Sequence, residues 1–455
     1  MRADAARKMD GRIPRIDGYP FIGVVPHFFT APFEFLENIS LCHPGQVVRL
    51  NMGITELLYS AHPEHVQHVL SSNWKNFSKG PIVKPLKLLV GEGLVTSDVD
   101  IWLRSRRVMQ PVFNANQMAA LAEPMIATIA EAINSLERLA GQEIDLGQEL
   151  MQITQSVMLR VMFGTDTSPE QRQAVWESLD TALRAIHIRM FLYFLPSGIP
   201  LPGSAALKKS VQRIDEIILD IVKKRRQSGE RRNDLLSLLL AAKDDETSTG
   251  MDDRQLRDEL VTAFIAGIES TAMTLSWLFY LLSKNPEPAG LVQAEIQAVL
   301  GNRQPRFEDL TSLTYTRMAF MEVMRLYPPA WFLARIADEQ DQIDNYTIPA
   351  KTPFLLSPYV THRLPAYWQH PHRFYPEHFT PEQVAQRHRF AYLPFGAGPR
   401  QCIGNHFALM ETMFIIAMMT QRFRLRSVAG PFVEPKAMAT LRPRDGIRML
   451  LTRAS

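Results

Sequence analysis

The chain has 455 residues, 46% of them hydrophobic and 21% charged, and a formal net charge of +3. That balance supports a large buried core and excludes a disordered chain; basic residues scattered among acidic ones leave no footprint for nucleic acid. The two cysteines, Cys42 and Cys402, stand far apart, which excludes a disulfide framework and any multi-cysteine zinc or iron-sulfur site and points to a reducing cytoplasm.

In chain order, the opening MRADAARKMDGRIPRIDGYP carries charge, Gly and Pro throughout, so neither a secretory segment nor a membrane anchor is expected there. QVVRLNM and ELLYS flank Gly53 and alternate apolar with polar residues, which predicts a hairpin in a minor β region within residues 1–60. Helical periodicity then runs through 117–137, 147–163, 205–226, 253–283, 289–300, 315–327 and 404–422, punctuated by Pro or Gly. Strand-like pieces cover Asp344 to Ile348 and Gly446 to Leu451. Between Leu195 and Gly203, LPSGIPLPG predicts a loop joining two long helices, and Lys223 to Arg226 reads as helix-end cations favoured by the dipole. The apolar run Leu260 to Leu282 competes for a membrane span. However, Glu269 near its centre would cost about 2.5–3.5 kcal/mol in a bilayer, so a buried helix is expected. No linker or repeat divides the chain, so residues 1–455 are read as one domain, mainly α with small β-sheets (α+β).

The chemistry concentrates in PFGAGPRQCIG, Pro394 to Gly404, where a Gly-rich loop delivers one cysteine to the start of an apolar helix. Loop N–H groups and the positive end of the helix favour a thiolate, which can ligate iron. A cysteine is more often a small buried hydrophobe. Mere packing gives no reason for Gly396, Gly398 and Gly404 or for a cation at Arg400. A nucleophilic cysteine with His362 or His406 as base stays open at this point.

Phe395, Gly396, Gly398, Arg400, Cys402 and Gly404 match the F-G-x-G-x-R-x-C-x-G haem-binding signature, and the chain resembles the cytochrome P450 family. The resemblance implies that heme b (iron protoporphyrin IX) binds with Cys402 as axial ligand, Phe395 and Gly404 flanking it. It also implies that the haem lies between the long distal helix and the cysteine-loop helix of a single P450 domain. Further family motifs occur in order. Glu322 and Arg325 form E-x-x-R before LYPP and resemble the family's structural ion pair; His378, in Pro376-Glu377-His378-Phe379, stands where an arginine is usual. Trp102 and Arg106, four apart, share a helix face and, with Arg335 and Arg400, resemble the haem-propionate ligands. Ala266-Gly267-Ile268-Glu269-Ser270-Thr271 resembles the oxygen-activation motif, with Glu269 and Ser270 as the expected proton-relay pair and Thr271 as an alternative hydroxyl. A glycine there costs up to about 1 kcal/mol in helix propensity. Either cofactor approach or helix packing would explain Gly267.

By the same resemblance the thiolate favours O–O cleavage, and one oxygen atom enters a hydrophobic substrate of terpenoid, fatty acyl or polyketide type. Substrate is expected beside Ala266 and the segments Ser78–Val95, Pro329–Ala334 and Met438–Leu441, which include Trp331, Phe332, Leu333 and Thr440, although core packing explains the aromatic residues equally well. The chain ends about fifty residues after Cys402, so no fused reductase is expected. Electrons from NAD(P)H would arrive through a separate ferredoxin or flavodoxin with its reductase, for which Arg104 and Arg107 are possible docking cations. A cytoplasmic monomer is expected. A peroxygenase or isomerase-type member, a non-catalytic haem sensor and a cysteine hydrolase are the alternatives; turnover with peroxide alone, retained haem without turnover, or a colourless protein would favour each in turn.

Overall fold

Pro124 shows how local chemistry sets the elements of this structure, a computed structural model describing residues 12–164, 167–191, 199, 201–428, 430 and 432–454. The expected helix over 117–137 is instead two, Ala115–Ala120 and Ala122–Leu136. A proline ring clashes with the carbonyl four residues before it, here Ala120, where the first helix stops. The chain folds as two compact units interleaved in sequence: residues 1–80, 330–373 and 382–401 in the first, 81–329, 374–381 and 402–455 in the second.

The first unit is built on a six-stranded sheet in the order Arg15–Ile16, Val48–Asn51, Glu56–Ser60, Pro353–Leu356, Leu333–Ala337, Phe77–Ser78. The hairpin expected around Gly53 is there, antiparallel with Val48 opposite Tyr59. Val48 and Leu50 turn inward while Arg49 and Asn51 are only partly covered, the alternation that a half-buried strand requires. Leu58, Val66, Phe77, Phe354 and Leu356 form the core against one face, and Phe390 and Leu393 join them from the segment leading into the cysteine loop. Strand Tyr346–Ile348 pairs with Asp341–Ile343, and Asp344, expected in the strand, takes φ +52° in the turn.

The second unit is helical. The expected helices appear as Leu146–Phe163, Ser204–Ser228, Asp253–Lys284, Pro286–Leu300, Thr314–Leu326 and Asn405–Arg422. Asp252 caps the longest by accepting from Gln255 N at 2.7 Å, and Pro328 follows the helix that ends at Leu326. Asp253–Lys284 is long and apolar enough to cross a bilayer, yet most of its apolar stretch is buried against Leu146–Phe163, Ser204–Ser228, Thr314–Leu326 and Asn405–Arg422. Trp277, fully buried, stacks on Tyr327 at 3.9 Å. Helix Pro169–Phe191 was not marked by periodicity. Most of the loop expected from Leu195 to Gly203 lies outside the described residues. Arg225, read from the sequence as a helix-end cation, is instead buried and ion-paired with Asp234 at 2.7 Å. Strands Phe423–Ser427, Arg448–Arg453 and Glu143–Asp145 make a small sheet, and Pro435–Ala437 with Leu441–Pro443 a hairpin.

Candidate functional site

In the first unit, the loop before the cysteine is shaped by two glycines in the left-handed region, Gly396 at φ +73° and Gly398 at φ +70°. A Cβ on Gly398 would overlap the carbonyl oxygen of Leu70, so this position needs glycine for both conformation and space. Phe395 is half-buried in the same loop. Arg400 stands 6.0 Å from the Trp74 ring. Arg335, on strand Leu333–Ala337, donates to Ala334 O at 2.8 Å, and among the described residues no carboxylate pairs with it. Burial and then the like charge of Arg400 push its pKa down to about 10. Two guanidiniums in one another's field, one without an acidic partner, are the donor set that a carboxylate such as a haem propionate would satisfy.

Trp331 is nearly buried in this unit, edge-on to Phe33 at 5.3 Å, while its carbonyl accepts from Ser357 Oγ at 3.0 Å. Its side chain therefore belongs to the packing of the unit. Phe332 and Leu333 are only half-buried beside it. His362 Nε2 accepts from Leu393 N at 2.8 Å, which occupies the ring nitrogen that a catalytic base would use.

In the second unit, Cys402 precedes helix Asn405–Arg422, with Gly404 as its cap residue. Its surface is accessible, yet protein around the sulfur desolvates it. Burial pushes the thiol above its ordinary value, against the opposing pull of the Gly404 N–H and the Arg106 charge. The stabilisation of a thiolate expected from the loop is thus present but outweighed; a coordinating metal ion deprotonates such a thiol outright. Trp102 and Arg106 lie one turn apart on helix Val99–Met109, Trp102 buried and Arg106 half-buried with its pKa lowered by desolvation. Within this unit these features fit an iron porphyrin, as the Arg335–Arg400 pair does within the first.

On the long helix, Ala266 and Ser270, four apart, are accessible in the middle of a largely buried segment. The expected Glu269–Ser270 pair is not made. Ser270 Oγ donates to Ala266 O at 2.7 Å, a local bond to the preceding turn. Glu269 Oε1 instead accepts from Thr440 Oγ1 and from Arg442 Nε at 2.5 Å, both on the C-terminal hairpin. Thr440, expected at the substrate pocket, therefore binds the acid of the long helix. Arg442 carried no motif that would single it out. Gly267 is explained by packing, because a Cβ there would stand 3.0 Å from Met158 Sδ on the neighbouring helix. Thr271 is buried and faces Glu411 of helix Asn405–Arg422, a fully buried carboxyl raised to about 8 by burial. Sequence inspection passed over Glu411 as one more residue of an apolar helix.

Glu322 and Arg325 are both fully buried, joined by two hydrogen bonds of 2.7 and 2.8 Å. His378 Nδ1 stands 3.2 Å from each Glu322 oxygen, and Tyr375 N donates to Oε1 at 2.9 Å. Histidine thus occupies the third place of this network. Of the possible docking cations, Arg107 is paired with Glu246 at 2.8 Å and Asp244 at 3.3 Å, and Arg104 is exposed. Parts of the expected substrate segments meet here: Leu441 N donates to Pro329 O at 3.0 Å, and Leu94 N donates to Glu259 of the long helix at 3.0 Å.

The family model described as Cytochrome P450 matches residues 14–450. A cyclooctat-9-en-7-ol 5-monooxygenase of Streptomyces melanosporofaciens is 35% identical, covering 90% of this chain and 89% of the relative. A pentalenene oxygenase of Streptomyces avermitilis is 30% identical over 95% of each chain. The crystal structure of the cytochrome P450DA heme domain superposes with a TM-score of 0.89 over 97% of both chains at 24% identity, a likeness of fold.

Proposed function

The chain belongs to the cytochrome P450 family and is a monooxygenase, and from that premise we propose that Cys402 is its haem-iron ligand and a terpenoid its substrate. The family brings a haem, a hydrophobic substrate and a redox partner. When bound, the haem supplies activation of dioxygen and insertion of one oxygen atom into substrate. The observation that carries the proposal is Cys402, exposed at the end of the Gly-rich loop and ahead of an apolar helix, with the Gly404 N–H and the Arg106 charge favouring its anion.

The remaining roles belong to side chains. Cys402 sulfur would hold the iron as an anion. Trp102 and Arg106 in the second unit, and Arg335 and Arg400 in the first, would take haem propionates, and a carboxylate there would replace the missing acid beside Arg335 and relieve its repulsion with Arg400. Glu322 and Arg325, completed by His378, fix the helix Thr314–Leu326. Ala266 in the second unit and Phe332 and Leu333 in the first would each offer apolar surface to substrate, and Ser270 and Thr271 are the hydroxyls through which protons would pass. The terpenoid assignment rests on the relatives, whose names give cyclooctat-9-en-7-ol and pentalenene as substrates. Electrons come from NAD(P)H through a ferredoxin or flavodoxin and its reductase. The same reading takes residues 1–455 as one domain and the protein as a cytoplasmic monomer; burial of the long apolar helix within its unit supports that location.

The test is turnover with isotopically labelled dioxygen, a ferredoxin reductase system and either pentalenene or cyclooctat-9-en-7-ol. One labelled atom per product molecule is expected. Oxidation of fatty acids but of neither terpenoid would refute the substrate class.

A further inference from the structure

Within the second unit, Arg442 is held by one edge of its guanidinium and open at the other. Its Nε donates to Glu269 Oε1 at 2.5 Å, and Thr440 Oγ1 donates to the same oxygen, so the acid fixes the arginine against the long helix. Among the described residues neither Nη of Arg442 has a hydrogen-bond partner, and its side chain keeps 39% exposure, so packing does not seal these donors. His187, half-buried on helix Pro169–Phe191, lies in the electrostatic field of both Glu269 and Arg442, and its ring nitrogens too lack a partner among the described residues. Ala266, three residues before Glu269 and so on the same side of the helix, is the exposed apolar neighbour. Ser270 has already turned its hydroxyl to Ala266 O, which leaves Arg442 and His187 as the polar groups with unused capacity.

The chemistry of the two groups selects what can join them. A guanidinium only donates, while a neutral imidazole keeps one accepting nitrogen. Burial holds His187 below its ordinary value, Arg442 adds to the lowering and Glu269 opposes it, so the ring is neutral at neutral pH. The Glu269–Arg442 pair is also neutral as a whole. A carboxylate would bring an unbalanced charge to this part-buried place. A hydrocarbon would strip water from both groups and return no hydrogen bond. A hydroxyl accepts from one and donates to the other.

Resting on the terpenoid monooxygenase reading above, we infer that Arg442 and His187 form a hydroxyl-binding site beside the accessible face of the long helix, and that the substrate is a terpenoid alcohol rather than a hydrocarbon. The substrate oxygen accepts from an Arg442 Nη, and its O–H donates to the His187 ring. Glu269 is a positioning residue, which aims the guanidinium without touching substrate. The anchored hydroxyl sets which carbon is presented for oxidation. The enzyme then acts after a reaction that has already placed a hydroxyl on the carbon skeleton.

The test uses the haem-loaded protein, its His187→Phe variant and the double variant Arg442→Met, Glu269→Gln, in which no carboxylate is orphaned. Equilibrium dialysis gives the affinities for cyclooctat-9-en-7-ol and for the matching hydrocarbon that lacks its hydroxyl. The wild type is expected to hold the alcohol about 10-fold to ~10²-fold more tightly, the range for a hydrogen bond to a charged donor in a site built for it. The double variant should bring the two affinities together by weakening the alcohol, with the hydrocarbon held as in the wild type, the sign of an intact fold. His187→Phe leaves the Glu269–Arg442 pair in place and should lose part of the preference. A wild-type protein that holds the hydrocarbon as tightly as the alcohol, or holds neither, and a preference unchanged in either variant would each overturn the inference. Equal affinities would do so while leaving the terpenoid reading standing. Dialysis needs neither electrons nor a sulfur–iron bond, so its result is also separate from the haem-thiolate reading.

Discussion

Replacing Arg325 by methionine removes a guanidinium of zero exposure and leaves the Glu322 carboxylate in place. Two charge-assisted hydrogen bonds are lost, Nε to Oε2 at 2.8 Å and Nη2 to Oε1 at 2.7 Å. At about 1.5–3 kcal/mol each they sum to ~3–6 kcal/mol, overlapping the ~3–5 kcal/mol typical of breaking a buried pair. His378 and the Tyr375 N–H remain and hold the loss toward the lower end. Arg325→Met is therefore expected to cost about 3–4 kcal/mol, read as the shift in guanidinium unfolding midpoint of haem-loaded protein at constant slope. The double variant Arg325→Met, Glu322→Leu should recover most of it, because the orphaned charge is gone. A single-variant loss below ~1 kcal/mol would place the pair among solvated surface contacts and refute the reasoning.

Gly398→Ala is expected to lower the unfolding midpoint and the yield of haem-loaded protein, since φ +70° and overlap with Leu70 O both oppose a Cβ; unchanged thermal unfolding would contradict that geometry. Trp277→Ala should destabilise by about 3–5 kcal/mol through an emptied core site and the lost stack on Tyr327, measured by the same denaturant titration. Glu411 gives a pH signature of known sign. Its folded pKa of about 8 exceeds the ordinary 4.5, so the unfolded chain releases a proton that the folded chain keeps. Stability from this group is present below pH 4.5 and is lost as pH rises toward 8. Glu411→Gln should flatten that decline in unfolding midpoints taken across the window, and an unaltered slope would contradict it.

Much of the fold was legible because it obeys local rules. The 3.6-residue period with its Pro and Gly punctuation placed Asp253–Lys284 and Asn405–Arg422 within a residue or two, and alternation about Gly53 placed the hairpin. The fold class follows from those elements and agrees with the family. The motifs located Glu322 with Arg325 and Trp102 with Arg106 because both pairs are helical neighbours, whose contact is written in their spacing. What escaped was contact between distant segments. Arg442 and Thr440 lie more than 170 positions from Glu269, and no spacing rule links a C-terminal hairpin to the middle of a helix. Glu411 was invisible for the opposite reason, since one acid in an apolar helix reads as a solvated face until burial is known. Gly267 has its cause in Met158 on another helix.

The central claim is the Cys402 sulfur–iron bond. Reduced, fully loaded protein under carbon monoxide is expected to show the strongly red-shifted Soret band of sulfur-anion ligation, and Cys402→His should replace it with the band of an imidazole-ligated haem. Folded, loaded wild-type protein that already shows the imidazole-type band, unchanged by Cys402→His, would contradict the account.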